Sequence, residues 1–478
     1  MSEVKRISAD ILKTFPAVDE AAVEAMLQEE VQKNEKKIVV LDDDPTGVQT
    51  VHDISVYTGW DLDSIREGFA EEGKLFYILT NSRGLTVAQT TQVHQDIARR
   101  VAEVSRETGK DFILMSRSDS TLRGHYPLEP RLLKDIVEEE TGVKIDGEVM
   151  CPFFKEGGRF TIDDVHYVKY GDELVPAGET EFAKDKTFGY KASDIKEYIE
   201  EKTGGEFKAC DVTSISLEDI RALNIDKIVD QLMQVRDFHK IVVNAVDYVD
   251  VKIFCVALYR AMAQGKHFMF RTAAAIVKEI GGISSQPLLT REQMITKETA
   301  NGGVIVVGSH TEKTTRQLEE LKKIPGIVSI EFDSDLVLDD VKFAEETRRV
   351  RSLIEETIAG GKTAVAYTRR KLLVIENDTK EEALIRSVKI SDAVQSLVGE
   401  LTVEPSFVVA KGGITSSDVG TKALRVRRAN VMGQIRPGIP VWQTRSESKF
   451  PNTPYVIFPG NVGEDVTLRE AAEILMQP

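Results

Sequence analysis

The sequence predicts an α/β protein of two domains, each a mainly parallel β-sheet flanked by helices, with an active site in the cleft between them. Three observations lead there. From residue 37 onward, short apolar runs alternate with segments of helical periodicity. Several of those runs end in polar turns rich in Asp, Arg, Ser or Gly, where open α/β sheets bind ligands. A chain of 478 residues is also longer than one hydrophobic core usually serves.

Residues 1–36 read as two short amphipathic helices, with Ile11, Leu12, Phe15, Val18 and then Val23, Met26, Leu27, Val31 at helical spacing. They form an N-terminal helical extension, a cap or an oligomer contact. The first strand, Ile38-Val39-Val40-Leu41, is apolar throughout, as a strand buried on both faces requires. It runs into Asp42-Asp43-Asp44-Pro45-Thr46-Gly47. Three adjacent carboxylates repel one another, so Mg²⁺, a Lys/Arg cluster or substrate hydroxyls must offset their charge. Further strands are expected at 54–57, 75–79 and 112–115, with helices at 86–107 and 128–140. Thr80-Asn81-Ser82-Arg83-Gly84 follows the third strand, and Ser116-Arg117-Ser118-Asp119-Ser120-Thr121-Leu122-Arg123-Gly124-His125 follows the fourth. Adjacent parallel strands would gather Asp43, Asp44, Arg83, Arg117, Asp119, Ser120, Thr121 and Arg123 on one rim. Arg forks bind carboxylates in bidentate fashion, and Asp, Ser and Thr bind hydroxyls, so a small polyhydroxylated acid would satisfy both sets.

The middle of the chain is less legible. A strand and turn are expected at Glu148–Pro152, a polar loop-rich excursion at 157–187 with His166 inside it, a strand at 241–245 and a helix at 251–263. Glycine breaks at Gly281-Gly282 and Gly302-Gly303 put a domain boundary at about 285–302. Beyond it, strands are expected at 303–307, 327–332, 363–367, 406–410 and 455–458, with helices at 336–359 and 381–399.

Three strands of this second half end in glycine turns: Gly308-Ser309-His310-Thr311, Lys411-Gly412-Gly413-Ile414-Thr415 and Pro459-Gly460-Asn461-Val462-Gly463. Glycine lets backbone N–H groups close around phosphate oxygens, and together the three turns point to a phosphate-bearing ligand. Gly360-Gly361-Lys362-Thr363 is not a Walker motif. Glu356 stands where its first Gly should be, and the segment precedes a strand.

Hydrophobic content of 41% and charged content of 29% are ordinary for a globular protein. A net charge of −16 argues against a nucleic-acid partner. Cys151, Cys210 and Cys255 fit no metal or redox spacing and read as reduced, buried thiols. With no signal region and no apolar run of membrane length, the expected location is cytoplasmic, without a membrane partner.

In order, Asp43-Asp44-Pro45-Thr46-Gly47, Asn81-Ser82-Arg83, Asp119-Ser120-Thr121-Leu122-Arg123-Gly124, Gly308-Ser309-His310 and Lys411-Gly412-Gly413-Ile414-Thr415-Ser416 resemble the four-carbon acid sugar kinase family over roughly residues 37–470. The resemblance implies a sugar-acid-binding domain at 37–296 and a nucleotide-binding domain at 297–478. It implies ATP-dependent phosphorylation of a tetronate such as threonate, erythronate or a 3-oxo-tetronate, with Mg²⁺ bridging the phosphates. Asp43 and Asp44 would be catalytic. Thr46, Gly47, Arg83, Arg117, Asp119, Ser120, Thr121 and Arg123 would bind the sugar acid. Ser309, His310, Lys411, Gly412, Gly413, Ile414, Thr415, Gly460, Asn461 and Gly463 would bind ATP. A kinase for a longer aldonate and a non-catalytic, nucleotide-responsive binding protein are the alternatives. A homodimer is possible through the N-terminal helices.

Overall fold

The computed structural model describes residues 4–371, 373–375 and 378–476. The chain divides into two compact units, Met1–Gly47 with Gly59–Ser285, and Val48–Thr58 with Gln286–Pro478.

In the first unit a parallel sheet runs in the order Thr213–Ile215, His239–Val243, Gly147–Cys151, Phe268–Thr272, Phe112–Arg117, Lys37–Asp42, Leu75–Leu79. Helices cover both faces, so Val39, Val40, Phe76 and Ile78 are fully buried. Lys37–Asp42 lies between Phe112–Arg117 and Leu75–Leu79, with Asp42 in register with Arg117 on one side and Leu79 on the other. That register sets the carboxylates of one turn beside the arginines of the other two.

The N-terminal segment differs from its expected form. Ile11 and Leu12 belong to a 3₁₀ turn, Ala9–Lys13, preceded by the short strand Ile7–Ser8 paired with Glu173–Leu174. Only the second helix forms, Glu20–Lys33, its first turn capped by Asp19 accepting from the Ala22 N–H. Val23, Leu27 and Val31 are buried, and Glu30 pairs with Arg260 of the helix Tyr248–Ala263 at 3.0 Å. The excursion at 157–187 is not mainly loop. Arg159–Ile162, Val165–Tyr170 and Glu173–Pro176 form an antiparallel meander. Its first turn is Asp163-Asp164, both with positive φ, which short polar side chains tolerate. Cys210 is exposed, against expectation, whereas Cys151 and Cys255 are buried.

The second unit's sheet runs Ile54–Tyr57, Arg428–Arg436, Ile439–Thr444, Pro454–Phe458, Val408–Lys411, Val304–Val307, Thr363–Thr368, Ile327–Phe332. The last five strands are parallel, and the hairpin Arg428–Thr444 is antiparallel. Ile54–Tyr57 pairs antiparallel with Arg428–Val431. Among the described residues no helix is long and apolar enough to cross a membrane.

A buried ion pair away from the rim tests the first unit's core. Lys240 Nζ donates to Glu148 Oε2 at 2.7 Å, both residues are 1% exposed, and the ammonium lies 3.5 Å from the Phe238 ring centre. Lys240→Met would leave the Glu148 charge without that partner and should cost about 3–5 kcal/mol in urea unfolding, most of it regained by the double variant with Glu148→Leu.

Candidate active site

Asp43 is the hub of the first unit's rim. Arg83 grips it with two parallel bonds, Nη2 to Oδ1 at 2.7 Å and Nε to Oδ2 at 3.1 Å. Ser118 Oγ donates to Oδ2 at 2.5 Å, and Arg117 Nη1 stands 3.6 Å from Oδ1. Arg117 Nη1 also donates to Asp42 at 2.9 Å. Arg83 Nη1 reaches Asp44 at 3.4 Å and Asp119 at 3.8 Å. Arg123 Nε and Nη2 donate to the two oxygens of Asp119 at 2.8 and 3.2 Å, and Thr121 Oγ1 donates to the same carboxylate. Arg271, at the end of Phe268–Thr272, donates to the Arg123 carbonyl at 2.6 Å. Gly47 and Gly124 make the crowding possible. A Cβ on Gly47 would fall 2.1 Å from the Asp42 carboxylate oxygens, and one on Gly124 (φ +108°) 2.7 Å from Ser118 Oγ.

The electrostatics divide the carboxylates. Burial raises the Asp43 pKa, but Arg83, Arg117 and Arg271 outweigh it and hold the group below the usual range. Burial acts likewise on Asp119, where Arg123 and Arg83 hold the pKa well below normal. For Asp42 burial wins over Arg117, and its pKa is pushed up to about 7. Asp44 is the most open of the three adjacent aspartates. Its side chain is 14% exposed, and Oδ1 accepts from the Thr46 N–H at 2.8 Å.

The antiparallel meander backs this rim. His166 Nε2 donates to the Ser120 carbonyl at 2.7 Å, while Nδ1 lies 3.0 Å from Thr161 Oγ1. The Arg123 guanidinium lies 5.0 Å from the Phe182 ring centre.

In the second unit, Val307, Lys411 and Phe458 are in register on three adjacent strands, which gathers the three glycine turns. The Gly412 N–H donates to the Phe458 carbonyl at 2.9 Å with φ at +119°. A Cβ on Gly308 would fall 2.1 Å from Thr415 Oγ1. Thr314 Oγ1 donates to Ser309 Oγ at 3.1 Å, and Lys313 Nζ to the Gly463 carbonyl at 3.1 Å. Ile414 is 71% exposed at the start of the short helix Gly413–Asp418, beside buried Thr415; Asn461 is exposed. His310 Nε2 stands 3.4 Å from Thr368 Oγ1, and burial together with Arg370 lowers its pKa.

Not every expected residue is free to meet a ligand. Arg117 is buried and spent on Asp42 and Asp43, because the aspartate cluster needs an internal countercharge. Ser120 accepts from His166 through its backbone carbonyl, a bond that does not engage its hydroxyl. Lys411 is fully buried, and its Nζ fastens the Pro459 and Gly460 carbonyls at 2.6 and 3.3 Å. Burial, then Lys313, drives its pKa well below the usual lysine value. Asp42 and Ser118 stand in motifs read from the sequence without being assigned to the site, and Arg271 was not assigned to it either. Arg271 carries the signal used elsewhere, a polar residue closing the apolar run Phe268-Met269-Phe270.

Residues 38–280 match the sugar-binding N-terminal domain family, and residues 304–468 match the nucleotide-binding C-terminal domain family. The fold is similar to that of the Haemophilus influenzae protein HI1011, at 15% identity and TM-score 0.58, over 92% of this chain and 100% of that one. It is also similar to a Salmonella typhimurium LT2 protein provisionally named a tRNA synthase, at 13% identity and TM-score 0.62, over 91% of this chain and 98% of that one. No curated protein matches the chain.

His166 sets a pH dependence. Burial lowers its pKa from 6.5 to about 4, so between those values the unfolded chain takes up a proton that the fold excludes. Stability is then full above pH 6.5 and falls as pH drops. Relative to His166→Gln at each pH, the unmodified protein should lose about 2 kcal/mol between pH 6.5 and 5 in denaturant unfolding.

Proposed function

The chain belongs to the two-domain family of four-carbon acid sugar kinase architecture, and on that premise we propose that it is an ATP-dependent kinase phosphorylating a hydroxyl of a four-carbon sugar acid such as threonate, erythronate or a 3-oxo-tetronate. The observation that carries this reading is the gathering of Asp43, Asp44, Asp119, Arg83 and Arg123 on one sheet rim. A ligand with one carboxylate and several hydroxyls complements that set. Arginine can pass from an internal aspartate to a substrate carboxylate, and the released aspartate oxygens can accept from hydroxyls.

In the proposed reaction the substrate hydroxyl oxygen attacks the γ-phosphorus, the bond to the β,γ-bridging oxygen breaks, and ADP leaves. The hydroxyl proton passes to a carboxylate. Asp44 suits that role better than Asp43, whose low pKa and four engaged contacts make it a poor acceptor. Asp43 would instead hold Arg83 in place. Arg83 and Arg123 would take the substrate carboxylate. The turns holding Gly308, Gly412 and Gly460 would cradle the phosphates through N–H groups such as those of Gly413 and Gly460, since the Gly308 and Gly412 N–H groups already donate to the Lys411 and Phe458 carbonyls, with Ser309 and Thr415 beside them. Catalysis of this kind is mainly positioning and charge neutralisation. Among the described residues no group of three or more His, Cys, Asp or Glu could hold a metal ion. Mg²⁺ on nucleotides is held largely by phosphate oxygens and water with one or two carboxylates, so it would need no protein cage and would neutralise phosphate charge.

The test is ADP release across a panel of four-carbon sugar acids with Mg-ATP, with longer aldonates as comparison. Asp44→Asn should lower kcat by about 10²–10⁴-fold and leave the KM for ATP near its original value. Arg123→Lys should raise the sugar-acid KM by at least about tenfold, because a bidentate grip becomes a point charge. Binding of ADP and a sugar acid with no transfer at all would overturn the kinase assignment.

A further inference from the structure

Under the two arginine-bearing turns lies a carboxylate that the proposed reaction does not use. Glu129, in the first turn of the helix Leu128–Thr141, is 1% exposed. Ser82 Oγ donates to its Oε1 at 2.5 Å, and Ser116 Oγ donates to its Oε2 at 3.4 Å. Its ionisable neighbour is His94, with Nε2 3.7 Å from Oε1 and Nδ1 2.9 Å from the Thr90 carbonyl. Ser82 immediately precedes Arg83, and Ser116 immediately precedes Arg117. Those two arginines converge on Asp43, at 2.7 and 3.6 Å.

The sheet order explains the placement. Lys37–Asp42 separates Leu75–Leu79 from Phe112–Arg117, so Ser82 and Ser116 stand on either side of the strand that delivers Asp43. Glu129 spans that gap with one oxygen for each serine. His125, on the loop leading to the same helix, adds a second tie to the Asn81–Gly84 turn through Nε2, which donates to the Ser82 and Leu85 carbonyls at 3.1 and 3.0 Å. A buried carboxylate is a costly filler where packing alone would be served by an apolar side chain.

We infer that Glu129 is a positioning residue for the sugar-acid site, fixing the spacing of Arg83 and Arg117 through Ser82 and Ser116 so that both meet Asp43. Arg83 is thereby held where it also faces Asp44 and Asp119. The inference rests on the proposed function only in taking this rim to be the sugar-acid site.

Ser82→Ala and Ser116→Ala each remove one strut and a single oxygen atom, and Glu129→Ala removes both struts. The serine variants should raise the sugar-acid KM by about tenfold, the worth of one hydrogen bond to a charged group. The KM for ATP and kcat should stay within about twofold, which general loosening of the fold would not produce. Glu129→Gln, which keeps an amide oxygen for Ser82, should recover part of the loss seen with alanine. If Glu129→Ala does not fold, the serine variants carry the test. An unchanged sugar-acid KM in both of them, or an equal rise in the KM for ATP, would overturn the inference. A crystal structure of Ser82→Ala gives a readout that needs no substrate. A lengthened or single-bonded Arg83–Asp43 contact supports the inference, and an unaltered bidentate pair overturns it. Absence of transfer to every sugar acid tried would sink the kinase assignment, while the crystallographic outcome would still decide the role of Glu129.

Discussion

The first unit is arranged around the need to neutralise three successive aspartates at the end of one strand. Each would cost several kcal/mol if buried alone, since the Coulomb attraction of a partner is what repays lost hydration. Asp43 receives the full repayment from Arg83, Arg117 and Ser118. Asp42 receives less, and burial pushes its pKa up to about 7. Asp44 avoids the cost by remaining partly in water. One local sequence thus yields two buried carboxylates pushed in opposite directions, Asp42 upward and Asp43 downward, beside a third that stays partly exposed.

The second unit meets a different constraint. Its three turns contain few countercharges; what they share is closeness of backbone. The side-chain hydroxyl of Thr415 occupies the space a Gly308 side chain would need, and Gly412 takes a conformation that L side chains rarely adopt. Lys411 Nζ donates to carbonyls of the neighbouring turn, which ties its strand end to the loop that follows Phe458. Charge shapes one unit and steric room the other.

How far this was legible follows from how local each signal is. Apolar runs ending in charged or glycine turns announced the parallel strands and most of the rim, because burial on both faces and exposure at the tip leave a mark within a few residues. Arg271 bears the same mark but belongs to the less regular middle of the chain. The hairpin Arg428–Thr444 escaped notice although its first strand alternates half-buried and buried positions; Gly433 interrupts the apolar side of that alternation. The inward turn of Lys411 could not be foreseen, since the carbonyls that receive it lie nearly fifty residues away. The same distance argument hides Glu129, whose partners are a serine in the turn after Leu75–Leu79 and a serine in the strand Phe112–Arg117.

The strand Ile54–Tyr57 has a consequence for the chain's connectivity. Because residues 48–58 belong with 286–478, the polypeptide passes between the units three times. Severing it at Ser285–Gln286 would not liberate two intact halves. The leading piece would carry away a strand that Arg428–Val431 pairs with, and the trailing piece would present that bare backbone edge to whatever extended segment met it. Gene fragments split at that point should therefore regain their fold together more readily than apart.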